Sequence, residues 1–123
     1  MKNIYYYFKY KKLIEFIEKN IGKPFPKNQW FYYKKIAVYL RTSYRYIDNE
    51  KEPTIEIATI MVYEKYRNKK VFSKFLDLLE NVFPSNIIFF ENVLNPELYL
   101  YLSEKRKYKE LEYLDQCLYF SKN

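Results

Sequence analysis

The residues best suited to bind an anion form a short basic run, Arg67-Asn68-Lys69-Lys70, which stands directly before a segment with helical apolar spacing. The positive end of a helix dipole at this point would add to the charge of Lys69. By composition alone, such a run is a solvated turn as often as it is a binding site. Its position between a predicted strand and a predicted amphipathic helix favours anion binding.

Proton transfer in this chain would fall to tyrosine and carboxylate side chains, because it has 16 Tyr, 15 Asp plus Glu and no His. The lack of histidine excludes the His-containing triads and dyads and every zinc site that uses imidazole. The single cysteine, Cys117, can form neither an internal disulfide nor a four-cysteine metal site, and a small apolar core residue is its simplest role. We therefore expect neither a metal centre nor a disulfide.

Length and charge restrict the class of protein. The chain has 123 residues, which fits one domain over 1–123, and a net charge of +7. AT-rich codons encode Phe, Tyr, Ile, Asn and Lys alike, so a biased nucleotide composition accounts for much of the charge and the aromatic content. No apolar stretch is long enough to span a membrane and no convincing secretion signal is present, so the sequence predicts a cytoplasmic protein.

The elements that would position these residues follow from apolar periodicity. Helical spacing predicts helices over 9–20, 71–83 and 95–105, and the capping sequence Asn95-Pro96-Glu97 opens the last of them. Alternation and β-branched content predict strands over 35–47, 54–63 and 86–90, with two more near Leu111 and Leu118. The aromatic segment 28–33 could begin a strand or line a groove.

The order of these elements indicates the fold class. The polar segment 48–53 joins two strands as an antiparallel hairpin. The strand–helix–strand unit over 54–90 should have parallel strands and a right-handed crossover. The sequence therefore predicts an α/β fold, an α+β sandwich built on a mixed sheet.

The segment 55–83 resembles the centre of the GNAT superfamily of acetyl-CoA-dependent N-acetyltransferases. In that family a strand is followed by the pattern Arg/Gln-x-x-Gly-x-Gly/Ala, which opens a helix. The matching positions here are Arg67, Asn68, Lys69, Lys70 in place of the first glycine, Val71, and Phe72 in place of the last small residue. A second family element, a strand, an Asn at a helix start, a later Tyr and then Gly-Phe, resembles 87–108, with Lys107 in place of its glycine.

The resemblance implies a mostly antiparallel sheet with a central parallel unit, helices on both faces, and acetyl-CoA as cofactor. The backbone of Ile60, Met61 and Val62 would pair with the pantetheine arm. Residues 67–72 and the start of the following helix would hold the phosphates, with Asn95 near them. Lysine in place of glycine brings a Cβ into this loop, where it could turn outward, contact a phosphate or fill the groove.

The resemblance also suggests how acetyl transfer would proceed. Tyr101 is the first candidate for the acid that protonates the coenzyme A thiolate, and Tyr99 is the second. Glu56 on a strand, or Glu91 at the end of the next strand, would accept a proton from the amine. Each of these residues has a structural alternative, since tyrosines usually pack, a strand glutamate is usually solvated, and Asn95 is most simply a helix cap.

Three functions remain open. The first is an active N-acetyltransferase that acts on an amine of a protein or small molecule. The second is a catalytically inactive GNAT-fold protein that binds a macromolecular partner, for example a mobile-element or phage-type inhibitor of a host system. The third is a nucleic-acid binder, because the segments 5–12 and 30–35 interleave basic with aromatic residues.

Overall fold

The computed structural model describes residues 4–67, 70–111, 113, 114 and 116–122. The strands are β1 (Lys27–Tyr32), β2 (Ile36–Ile47), β3 (Glu50–Val62), β4 (Ile87–Phe90), β5 (Lys109–Glu110) and β6 (Leu118–Phe120). The helices are α1 (Ile4–Lys9), α2 (Lys11–Asn20), α3 (Val71–Val82) and α4 (Pro96–Leu100), with a 3₁₀ turn (Glu64–Tyr66) and a π-helical turn (Tyr101–Lys105). No helix among the described residues is both long and apolar enough to cross a membrane.

The six strands form one mixed sheet in the order β1-β2-β3-β4-β6-β5. β3 and β4 are parallel, and every other neighbouring pair is antiparallel. The predicted α+β class, the mixed sheet and the parallel strand–helix–strand unit are therefore confirmed. The aromatic segment that could have been a strand or a groove forms β1.

A two-residue turn joins β2 to β3. Asp48 and Asn49 both have positive φ, 51° and 68°. This combination is typical of a type I′ turn, whose twist matches that of the flanking strands, and Asp and Asn tolerate it better than most residues. Because the turn is so short, the ladder continues to Glu50 and β3 begins earlier than the sequence predicted.

β3 and β4 separate partway along their length. Their pairing ends at Ile57 and Phe90. At the same level β3 contains a bulge: Leu40 pairs with Ile57 and Tyr39 with Thr59, so one residue of β3 is left over. Beyond the bulge β3 remains paired with β2, but in the described residues no strand adjoins its other edge. The result is a gap beside the last residues of β3, where β4 has already ended.

The helices that bury side chains all pack on one face of the sheet. α2 and α3 contribute Leu13, Ile14, Ile17, Phe75, Leu76 and Leu79 to a single core cluster. The strand residues of that cluster, Val38, Leu40, Ile55 and Ile57 among them, point to the same face. The prediction of helices on both faces is therefore wrong for the described residues, because an apolar helix stripe shows that a helix packs on a sheet but not on which face.

Candidate functional site

An open cleft of about 560 Å³ lies where the end of β3, the start of α3 and the start of α4 meet. Its described lining residues are Val62, Tyr66, Arg67, Lys70, Val71, Phe72, Ser73, Asn95, Glu97, Leu98 and Tyr101. The cleft thus brings together Arg67 and Lys70 of the basic run, the start of the amphipathic helix, Asn95 and Tyr101, as the sequence suggested. Asn68 and Lys69, which were predicted to join them, lie outside the described residues.

The backbone of Lys70 has a conformation that favours glycine. It is the N-cap of α3 and lies in the left-handed region, with φ 61° and ψ 22°. Lys107, the other lysine that stands where the family pattern has glycine, also has positive φ, 63°. Left-handed backbone costs an L-residue about 1–2 kcal/mol, so each lysine occupies a position that glycine would fill without strain.

The strand edge beside the gap carries backbone groups that point into it. The N–H of Tyr63 donates to the carbonyl of Lys35 at 3.0 Å, so Tyr63 faces β2. Successive residues of a strand direct their N–H and C=O groups to opposite edges. The backbone N–H and C=O groups of Ile60 and Val62 therefore face the gap. The carbonyl of Val62 accepts a 3.0 Å hydrogen bond from Nε of Arg67.

Positive charge at the cleft has no carboxylate partner in the described part of the chain. The other three arginines, Arg41, Arg45 and Arg106, each form ion pairs with carboxylates, whereas Arg67 and Lys70 form none. The first N–H groups of α3 also lack intrahelical acceptors, as at any helix start. An anion in this cleft would meet two cations and the positive end of a helix together.

Tyr66 adds an aromatic ring to this end of the cleft. Nζ of Lys35 lies 5.6 Å from the centre of the ring and Nζ of Lys65 lies 5.9 Å from it. Four cleft residues were not predicted from the sequence: Tyr66, Ser73, Glu97 and Leu98. Glu97 stands out in the sequence only as the acid of a helix start, since its place in the cleft depends on how α4 packs beside α3.

The two candidate tyrosines differ in position. Tyr101 lines the cleft, with its ring centre 5.9 Å from that of Phe72. Tyr99 is not among the lining residues. Burial, followed by a hydrogen bond to Glu110, raises the pKa of Tyr99. Because Tyr101 lines the cleft and Tyr99 does not, Tyr101 is the better placed acid.

Asn95 caps α4. Its side-chain oxygen accepts a 3.0 Å hydrogen bond from the N–H of Leu98, so the structural role predicted for it is confirmed.

Met61 and Ile60 do not line the cleft, although Val62 does. The side chain of Met61 is 48 % exposed, on the face of the sheet opposite the helices.

Glu56 lies away from the cleft, within a cluster of four charges that we call the paired cluster: Arg41, Arg45, Glu56 and Glu91. Glu56 is 1 % exposed. It accepts two hydrogen bonds from Arg45, at 2.9 and 3.1 Å, and one from Arg41 at 3.3 Å. The hydroxyl of Thr54 donates a fourth, at 3.0 Å.

Glu91 belongs to the same cluster. It pairs with Arg45 and lies 3.9 Å from Arg41. The structure therefore brings the two candidate bases to each other and to two arginines, but not to Tyr101. Among the described lining residues of the cleft, Glu97 is the sole carboxylate.

Comparison of the chain with models of protein families, with curated proteins and with solved structures finds no match. In the described residues, no three or more His, Cys, Asp or Glu side chains lie together as a metal site would require. Functional inference for this protein therefore depends on the geometry and charge of the cleft.

Proposed function

We propose that this chain is a GNAT-type N-acetyltransferase, which moves an acetyl group from acetyl-CoA to an amine of a protein or small molecule. The observation that carries the proposal is the gap between β3 and β4, which leads to a cleft lined by unpaired cations at the start of α3. A slot with free strand backbone suits the pantetheine arm, and a cationic helix start suits a pyrophosphate. The left-handed backbone of Lys70 and Lys107 supports the resemblance to the family pattern.

The cofactor would lie along the free edge of β3. Amides of the pantetheine arm would pair with the backbone of Ile60, which has no strand neighbour on that side. The pyrophosphate would contact the first turn of α3, with Arg67 and Lys70 neutralising part of its charge. Lys70 is exposed, so its side chain can turn toward the phosphates without filling the gap.

The transfer itself needs few protein groups. A neutral amine attacks the thioester carbonyl, a C–N bond forms, and the C–S bond of the tetrahedral intermediate breaks. Tyr101 would give its proton to the departing thiolate and regain one from the acetylated ammonium group through solvent. Glu56 is held by two arginines, so water or Glu97 would relay this proton from the amine nitrogen to the solvent.

Ligand binding tests the proposal directly. Acetyl-CoA should raise the melting temperature, and a concentration about 100 times its Kd should add roughly 2.7 kcal/mol to the free energy of unfolding. Lys70→Gln should weaken binding several-fold, whereas Lys107→Gln, a matched charge change outside the cleft, should not. The proposal fails if millimolar acetyl-CoA leaves the melting temperature unchanged.

A catalytically inactive GNAT-fold protein is the second candidate, and the engagement of Glu56 by Arg41 and Arg45 favours it. Such a protein would act by binding a macromolecular partner. Discontinuous assays that follow labelled acetyl groups on a panel of amines distinguish the two. Cofactor binding without transfer to any amine would support the inactive protein, and transfer would exclude it.

A further inference from the structure

We infer that the face of the sheet opposite the helices binds single-stranded nucleic acid through stacked aromatic rings. Three side chains, which we call the ring patch, carry this inference: Trp30, Tyr32 and Tyr39. The inference is independent of acetyl transfer, because the patch lies on strands β1 and β2 and shares no residue with the cleft.

The geometry of the ring patch follows from strand pairing. Trp30 and Tyr32 are two residues apart in β1, so they point to the same face, and Tyr39 of β2 lies opposite Trp30. The ring centres of Trp30 and Tyr32 are 5.5 Å apart with an interplanar angle of 13°, and those of Trp30 and Tyr39 are 5.1 Å apart. Phe31, between them in sequence, points the other way into the core beneath α2.

These rings are accessible. Tyr32 is 69 % exposed and Trp30 38 %, whereas Tyr39 is partly buried beside them. In the described residues no helix packs over them, because the buried residues of the helices all belong to the core on the other face. Rings stacked on each other but not covered by the protein leave flat faces and edges for a ligand.

The positive charge around β1 favours a negatively charged ligand. Lys23 stands at one end of the strand and Lys34 at the other, and both are exposed. In the part of the chain that the structure describes, neither of them has a carboxylate partner. The nearby arginines of the paired cluster are already neutralised, so the free charge comes from these lysines, in a protein of net charge +7.

Flat rings flanked by unpaired cations fit a ligand with flat bases and a negative backbone. Aromatic side chains on an open surface stack with the bases of single strands, and lysines release counterions from the phosphates. A duplex would not present its base faces to such a patch. A neutral apolar partner would use the rings but would leave the two lysines without a role.

Titration of the whole chain with an oligothymidylate of about 15 nucleotides tests the inference. Trp30 is the single tryptophan, so quenching of its fluorescence reports on the patch itself. With two lysines involved, raising salt from about 50 to about 200 mM should weaken binding roughly sevenfold. Absence of quenching at low salt, or quenching that salt does not affect, overturns the inference.

Variants separate the ring patch from the rest of the surface, with a labelled oligonucleotide and anisotropy as the readout. Tyr32→Ala should weaken binding about tenfold, whereas Phe8→Ala, which removes an exposed ring of α1, should not. Lys34→Gln should reduce the salt slope, and Lys19→Gln on α2 is its matched control. Unchanged binding by Tyr32→Ala, or a loss confined to Lys70→Gln, would place the nucleic acid elsewhere and refute the inference.

Discussion

The paired cluster beside β4 and the cleft at the start of α3 differ in how their cations are compensated. In the paired cluster two arginines face two glutamates, and hydrogen bonds to Glu56 raise the pKa of Arg45. In the cleft Arg67 and Lys70 have no carboxylate partner among the described residues. The charges of the first region are compensated within the fold, whereas the two cations of the second are exposed to solvent and available to a negatively charged ligand.

This difference indicates which charged residues stabilise the fold and which are available to bind a ligand. Compensated charges stabilise the fold, and removing one of them leaves its partner buried and unpaired. Uncompensated charges at a surface contribute little to stability and remain available for binding. Substitutions in the paired cluster should therefore change unfolding, and substitutions in the cleft should change ligand affinity or turnover.

The largest expected effect is on stability, from Glu56→Gln. It removes a buried negative charge between Arg41 and Arg45 and should lower the free energy of unfolding by about 3 kcal/mol in urea titrations. Glu91→Gln, at a carboxylate that is 45 % exposed, should cost about 1 kcal/mol or less. Equal losses from the two variants would show that burial does not distinguish them.

The next effect is on turnover, from Tyr101→Phe. Loss of the proposed acid should lower kcat by about a hundredfold, with the Kd of acetyl-CoA and the urea midpoint little changed. Tyr99→Phe changes a tyrosine that does not line the cleft, so this variant should retain most of the activity. If Tyr101→Phe keeps full kcat, another group protonates the thiolate.

Glycine substitutions compare the two lysines whose backbone lies in the left-handed region, Lys70 and Lys107. Lys70→Gly and Lys107→Gly should each raise the free energy of unfolding by about 0.5–1 kcal/mol, since glycine relieves the strain of positive φ. Only Lys70→Gly should weaken acetyl-CoA binding, because only Lys70 lines the cleft. An unchanged Kd in Lys70→Gly would show that its side chain neither contacts nor obstructs the cofactor.

The smallest expected effect is a decline in the free energy of unfolding at alkaline pH. Burial raises the pKa of Tyr33 to about 12, from 10.0 for a free phenol. The unfolded chain therefore loses this proton first, so stability present below pH 10 declines as pH rises toward about 12. Tyr33→Phe should flatten that decline in pH-dependent urea midpoints. An identical decline in the variant would assign it to other groups.

Local pattern predicted the elements of this fold well. The stripe of Phe72, Phe75, Leu76 and Leu79 places α3 within one residue of its observed end, because periodicity and Pro84 both act locally. β1 remained undecided, since Trp30 and Tyr32 are as large and aromatic as the buried Phe31. Alternation cannot be recognised when both faces of a strand carry rings.

The candidate site was predicted less completely than the elements. Arg67 and Lys70 of the basic run meet Tyr101 in the cleft, because the order of strand, loop and helix sets their positions. The partners of Glu56 depend instead on register, since Arg41 pairs with it only through the alignment of β2 with β3. That alignment includes a bulge, which no sequence pattern had indicated.

The position of β6 has a consequence for how this protein is made. β6 lies between β4 and β5 and is the strand that joins them, although it comes after both along the chain. Until residues 118–120 leave the ribosome, the apolar edge of β4 stays open to wrong partners. During synthesis the sheet is therefore incomplete and exposes an apolar edge, to which chaperones can bind.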